Sequence, residues 1–483
     1  MLALGTWFLL LTATVLGIIY FLMATFSRKR RPGEPVVVKG SLLWGSAGDF
    51  STHAVNFLHK CQKTYGDCFT IRLINQYLTI IMDPHSFEAM SKEKNFDFDP
   101  IQKQVNWNVF GFVLKDPRKM IKETGKTVRG PNNNNNNNHN NNGSISCQSE
   151  ARRPYGSDGL RAFTSKTLFN AIFNTVFGNS DDHPFNSNMA YKNFDIFHKF
   201  FNYFWLGVPK FLFPQAIDAL KELLVMPESE ELLARNDVAD YIKMATNYMK
   251  EQGQTEADIK GHHLVYLHVN YNTFRIAFWV LSNLLEHPES YAALKDEVTA
   301  AIDEKLDPST NTASFTGKEI ESLQILDSVI TETMRLSSGV FVVRYITKDT
   351  QFTTTDGQTY LMREGDRIAL YPPAIHKDPE IFEDPLEFKY DRFVGATFFK
   401  NGKELMNPVT AFGSLCPGRR FALLQLKWFI VSVVRRFHLR LLDGEHAEYA
   451  YEYHGHEVLP PKKDVQVEFW AEDDGPVILY SDE

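Results

Sequence analysis

One cysteine has the setting of a metal ligand. Cys416 sits in AFGSLCPGRR (Ala411–Arg420), between a Phe-Gly-Ser turn and a Pro-Gly that opens an apolar helix. On these residues alone two readings stay open. A free cysteine is commonly a small buried residue in a tight turn. A thiolate just before a helix start gains instead from exposed N–H groups and the positive helix end, which lower its pKa. Pro417 suits the first helical position, and Arg435 and Arg436 suit the last turn of the same helix. The other cysteines, Cys61, Cys68 and Cys147, form no close-spaced zinc pattern, and four in 483 residues are not a disulfide scaffold. Any special thiol therefore acts alone, in a reducing compartment. A second candidate is ITETMRLSSG, where Glu332 and Arg335 stand three apart on one helix face and can pair. At a surface such a pair contributes only a few tenths of a kcal/mol. Arg392, beside Phe393 in FEDPLEFKYDRF, is the second arginine that a buried network would need. A third group, His268, Asn270, Asn272 and Thr273, interrupts a helix that is apolar nearly all round. Polar groups there either hydrogen-bond within the core or face a cavity.

These residues need a large folded body to position them. Apolar residues make up 43% and charged ones 23%, and 38 Phe with 19 Tyr suit a large apolar interior or pocket. A net charge of −8 argues against broad nucleic-acid binding. Leu2–Phe26 carries no charge over 25 residues and is followed by the basic SRKRR. At about 1.5 Å per residue it spans a bilayer core of roughly 30 Å. The uncharged start and trailing basic cluster predict a retained anchor rather than a cleaved signal, with the body in the cytosol. Pro32, Gly33 and Pro35 make a stiff link, so residues 1–34 read as anchor and hinge, and 35–483 as one domain. Ten asparagines and His139 between Pro131 and Gly143 read as an insertion loop.

Within the body, Phe69–Asp83 predicts a hairpin around an Asn-Gln turn, and SFEAMSKEKNF a helix. Lys260–Ile302 predicts a long helical tract, bent or broken near Pro288. Asp356-Gly357 predicts a second hairpin, and Gly365–His376 a strand ending at two prolines. The helix from Pro417 runs to about Arg436, and FHLRLL and DVQVEFW read as strands. The expected class is mainly α with small β-sheets (α+β), in a single large domain.

Taken in order, the anchor, the long central helix, Glu-x-x-Arg, the proline-rich stretch with Arg-Phe, and Phe-Gly…Cys-x-Gly leading into a helix resemble the cytochrome P-450 family of haem-thiolate enzymes. LDSVITETMRLSS, IALYPP, DPEIFEDPLEFKYDRF and CPGRRFAL look most like the branch holding cholesterol 7-alpha-hydroxylase, sterol 12-alpha-hydroxylase and prostacyclin synthase. The resemblance covers about residues 41–112 and 159–483. It implies haem b with Cys416 as the proximal thiolate on iron. It implies that Glu332, Arg335 and Arg392 form a buried charge network, and that Arg344 in FVVRYI pairs with a haem propionate. The stretch His268–Thr273 would cross the distal face, with Asn272 and Thr273 as candidate catalytic residues. Electrons would come from NADPH through a flavoprotein reductase, which Arg419 and Arg420 would help dock unless they hold a propionate or a structural partner. The implied setting is the endoplasmic reticulum membrane, crossed once, with the catalytic domain cytosolic. The implied activity is hydroxylation of a lipophilic, steroid-like substrate. The alternatives are isomerisation of a lipid endoperoxide, as in prostacyclin synthase, and a catalytically impaired lipid-binding relative.

Three departures from the family pattern stand out. Phe412 precedes Cys416 by four residues, where the family has seven. Tyr271 and Asn272 fall where the family carries an acid and a threonine, and Arg275 falls where the branch tends to have proline, placed to reach a propionate or an acidic substrate. Between Phe112 and Tyr155 no propionate-holding helix is legible, and the asparagine tract stands there instead.

Overall fold

A computed structural model describes residues 12–17, 19, 28–41, 44–74, 76–116, 119–120, 156–178, 183–205, 207–413, 416, 418–451, 457–471 and 475–481. The Asn-rich tract, Cys147 and most of the apolar N-terminal segment lie outside these residues. Among the described residues no helix is long and apolar enough to cross a membrane.

The strands used below are β1 (Val36–Val37), β2 (Cys68–Leu73), β3 (Gln76–Ile81), β4 (Phe96–Asp97), β5 (Gly156–Gly159), β6 (Val342–Ile346), β7 (Thr350–Thr353), β8 (Thr359–Met362), β9 (Arg367–Leu370), β10 (Phe437–Leu441) and β11 (Gln466–Ala471). The helices are α1 (Ala47–Tyr65), α2 (Leu160–Phe177), α3 (Ser187–His198), α4 (Glu256–Val269), α5 (Tyr271–Glu286), α6 (Pro288–Lys305), α7 (Gln324–Ser337) and α8 (Arg419–Arg436). The largest sheet runs β1-β2-β3-β9-β6-β4. Within it β2 and β3 form the expected hairpin, but Gln76 already pairs with Leu73. The turn therefore begins at Ile74, whose φ of 58° carries the reversal, one residue before the Asn-Gln expected. The Asp356-Gly357 turn joins β7 and β8 in antiparallel register, as its sequence predicts. A separate sheet, β10-β11-β5, ties the C-terminal strands to the start of α2. The mixed, mainly helical architecture is the one expected.

Helix α5 is the axis of the body. Phe274, Ala277, Phe278, Trp279, Val280 and Leu281 along it are all buried, because it packs against α2, α7 and α8. The helical tract ends before Pro288, which occupies the first turn of α6. It also breaks at Asn270, where the sequence predicts continuity. The Asn270 side-chain amide donates to Tyr266 O at 2.7 Å, filling the acceptor that its own backbone N–H would use in an unbroken helix. Its backbone N–H turns to His268 O instead. Helix α8 begins at Arg419 with Gly418 as its N-cap, two residues later than a start at position 417.

Candidate active site

The Glu-x-x-Arg pair is buried, which removes the surface reading. Glu332 and Arg335 on α7 are fully inaccessible, and they meet through two bonds, Nε to Oε2 at 2.7 Å and Nη2 to Oε1 at 2.8 Å. Arg392 Nε donates to Glu332 Oε1 at 2.9 Å, and so does the Lys389 backbone N–H at 3.1 Å. The remaining guanidinium N–H groups reach carbonyls of the proline-rich stretch. Arg335 donates to His376 O, Pro385 O and Glu387 O, and Arg392 to Glu383 O, Asp384 O and Glu387 O. The Arg335 plane also lies 4.9 Å over the Phe382 ring. One carboxylate shared by two arginines thus fastens an irregular segment, which has no ladder of its own, to a rigid helix.

From this network a chain of bonds leads to the turn before the cysteine. His376 is buried and its ring Nε2 accepts the Thr410 N–H at 3.0 Å. Thr410 O accepts the Gly413 N–H at 3.0 Å, closing the turn before Cys416. Burial, with Arg335 nearby, lowers the His376 pKa to about 3, so the ring stays a neutral acceptor. Gly413 has φ +60°, and a Cβ there would stand 3.5 Å from Val342 on β6. A side chain at that position would be strained. Cys416 is the exposed free cysteine among those described. Its thiol pKa is raised, not lowered as the sequence predicts. Packing around the sulfur desolvates it despite the residue's open side, and outweighs the Gly418 N–H and the Arg419 charge.

The other predicted residues are distributed as follows. Arg344 is buried on β6, on the same face as Val342 and so on the side of the cysteine turn. It donates to Val343 O at 2.8 Å and stacks over Phe98. Arg419 lies over the Phe412 ring, and Arg420 pairs with Glu321 at 3.5 Å on the surface. At the start of α5, Asn272 Oδ1 accepts the Val458 N–H at 2.9 Å, and Thr273 is buried with its N–H on Asn270 O. Arg275 pairs with Glu457 Oε2 at 2.6 Å and donates to Val458 O at 2.8 Å. Tyr271 donates its hydroxyl to Asp195 at 3.0 Å and accepts from Arg161 at 3.3 Å. Burial, reinforced by Asp195, raises this phenol to about 12, so it stays protonated where the family has an acid. Sequence reasoning passed over His376, Asp195, His198 and Glu457. Their partners lie tens to hundreds of residues away, and only His376 stood inside a quoted segment.

Comparison with known proteins identifies the family. The family described as Cytochrome P450 matches residues 31–469. The chain belongs to the cytochrome P450 family. As a P450 it is an oxidoreductase of the monooxygenase type, with haem iron held by a cysteine thiolate and electrons drawn from NADPH through P450 reductase. It is 30% identical to the human 7-alpha-hydroxycholest-4-en-3-one 12-alpha-hydroxylase over 88% of this chain and 90% of the relative. It is 28% identical to the Cricetulus griseus cholesterol 7-alpha-monooxygenase over 86% and 89%. It is 26% identical to rat prostacyclin synthase over 91% and 94%. These relatives are the branch expected from the sequence. The residues of this P450 fit the cofactor: a lone thiol takes the Gly418 N–H ahead of a helix N-terminus, beside a glycine turn and a buried arginine face.

Proposed function

We propose that this P450 hydroxylates a lipophilic, sterol-sized substrate, with haem b on Cys416. The observation that carries this reading is the unbroken linkage Glu332–Arg335–His376–Thr410–Gly413 behind Cys416, in a chain 30% identical to a sterol hydroxylase over most of both lengths. When bound, a thiolate-ligated haem supplies oxygen activation, the sulfur favouring O–O cleavage. The chain's own residues do the positioning. Glu332, Arg335 and Arg392 hold the segment from which the cysteine turn hangs, and Arg344 faces the propionate side. Asn272 and Thr273 sit where α5 would cross the distal face, with Asn272 fixing the C-terminal loop there. Substrate class follows from relatives whose names specify hydroxylation of a cholestenone and of cholesterol. An interior rich in phenylalanine on α2, α3 and α5 suits such a molecule.

Residues 1–34 act as membrane anchor and hinge and 35–483 as the haem domain, interrupted by an insertion at 131–143. The body lies on the cytosolic face of the endoplasmic reticulum. The test is the reduced, carbon-monoxide-bound spectrum of purified protein, followed by turnover of sterols with NADPH and reductase. The expected result is the red-shifted Soret band of thiolate ligation, lost in Cys416→Ser, with reductase-dependent hydroxylated product. Haem-free protein from haem-replete cells would overturn the reading, and turnover of an endoperoxide without reductase would replace it with isomerisation.

A further inference from the structure

Away from the cysteine, three chemically matched side chains converge beside the α4–α5 break. His198 is the last residue of α3, His268 stands in the last turn of α4, and Glu457 lies in the C-terminal loop. One donor atom from each lies within 4.8 Å of the others. His198 Nε2 is buried and lies 2.8 Å from Glu457 Oε1, at ion-pair distance but without hydrogen-bond geometry. Two metal-ligating atoms so placed can share a third body. Their surroundings fix them for it. The His198 ring stacks on Tyr271 at 3.7 Å, and the His268 ring lies nearly parallel to Phe201 at 4.2 Å. Arg275 holds Glu457 Oε2 at 2.6 Å, which leaves Oε1 turned toward the histidines, as a hydrogen-bonded outer partner orients a ligating carboxylate.

The electrostatics favour a cation. Helices α3 and α4 both end here, so two negative dipole ends join the Glu457 carboxylate against the single Arg275 charge. Two imidazoles and one carboxylate, completed by a water as fourth ligand, are the donor set of a zinc-type ion.

We propose that His198, His268 and Glu457 form a divalent-metal site of the zinc type. Its ion staples the C-terminal loop to the ends of α3 and α4 across the break at Asn270. The site shares no ligand with the haem, although His268 opens the stretch expected to cross its distal face. The test uses haem-loaded protein, so that the Cys416 thiol is engaged, stripped with a chelator and titrated with Zn2+. One zinc per chain is expected beyond the haem iron. X-ray absorption at the zinc edge should show nitrogen and oxygen ligands alone, at about 2.0–2.2 Å. His198→Gln and Glu457→Gln should each weaken binding by at least ~10-fold, and Arg275→Lys by about 10-fold through the carboxylate it orients. Failure to retain zinc, a sulfur ligand at about 2.3 Å, or unchanged affinity in folded His198→Gln would overturn the proposal. Should the variants not fold, the absorption spectrum of the wild-type protein decides alone.

Discussion

Glu332 is a carboxylate with no access to water and a guanidinium on each oxygen's side. Removing it leaves two buried arginines sharing no counter-charge, so Glu332→Ala should cost about 3–5 kcal/mol, read as a lower urea midpoint. Arg392→Lys keeps the charge and loses the fork that spans Glu332 and three carbonyls, so it should cost less while still lowering the midpoint. Equal stability of Glu332→Ala and wild type would contradict this account of the network. His376 works differently, since a neutral ring accepts one backbone N–H there. Asn offers an acceptor in its place and Leu does not. His376→Asn should therefore keep the thiolate-type carbon monoxide band and His376→Leu should lose part of it, at similar expression. The Glu332–Arg335 pair was legible because three residues on a helix share a face whatever surrounds them. That it is buried came from the family resemblance and not from the spacing, because burial is supplied by His376, Pro385 and Glu387, which only the fold brings near. The raised Cys416 thiol shows the same limit: helix-start chemistry is local, whereas the desolvation that wins over it comes from neighbours.

At the scale of elements, proline and asparagine break the central helical tract by mechanisms of unequal visibility. Pro288 acts through its missing N–H, which the sequence states outright. Asn270 acts through one side-chain bond to Tyr266 O, which an asparagine elsewhere in a helix need not make. Helix α4 also carries His262 and His263, both buried, and buried His376 caps the short helix Pro372–Ile375 that follows β9. Burial lowers His262 to about 4 and His263 and His376 to about 3, with His262 adding to the shift of His263 and Arg335 to that of His376. The sign follows from linkage. Below the unfolded value of about 6.5 the unfolded chain binds protons that the folded chain refuses, so stability falls as pH drops. The loss runs from about pH 6.5 toward 4 for His262 and toward 3 for His263 and His376, at up to ~1.4 kcal/mol per pH unit for each ring, and above that window the three rings contribute none. Urea midpoints measured from neutral pH downward should fall along this limb, and less steeply in His263→Gln. A flat profile would show that these rings take up protons in the folded state.

Over the whole molecule, the link behind the apolar segment is not a free tether. The sequence predicts stiffness from Pro32, Gly33 and Pro35; the structure adds attachment. Arg28 stacks on Tyr77 at 4.0 Å and pairs with Asp366, and Arg31 pairs with Asp349 at 2.7 Å. Glu34 is buried under Arg363, which grips both its oxygens at 2.6 and 2.9 Å, and Gly33 O takes the Leu361 N–H. Each ion-pair partner lies more than three hundred residues along the chain, which is why composition could give the link its stiffness but not its docking. Two outcomes follow if residues 1–34 are anchor and hinge. In vesicles, the full chain should resist an alkaline carbonate wash, while a chain lacking residues 1–27 should be released by it; release of both would remove the anchor. Trypsin should also find Arg28, Lys29 and Arg30 poor sites in the folded protein, because the backbone around them is held on the sheet. Glu34→Gln combined with Asp366→Asn frees Arg28 and Arg363, and should make cleavage there fast while the body stays intact. Rapid cleavage of the unmodified chain would mean that the body swings on its tether, and that the ion pairs at Glu34 and Asp366 do not set its orientation to the membrane.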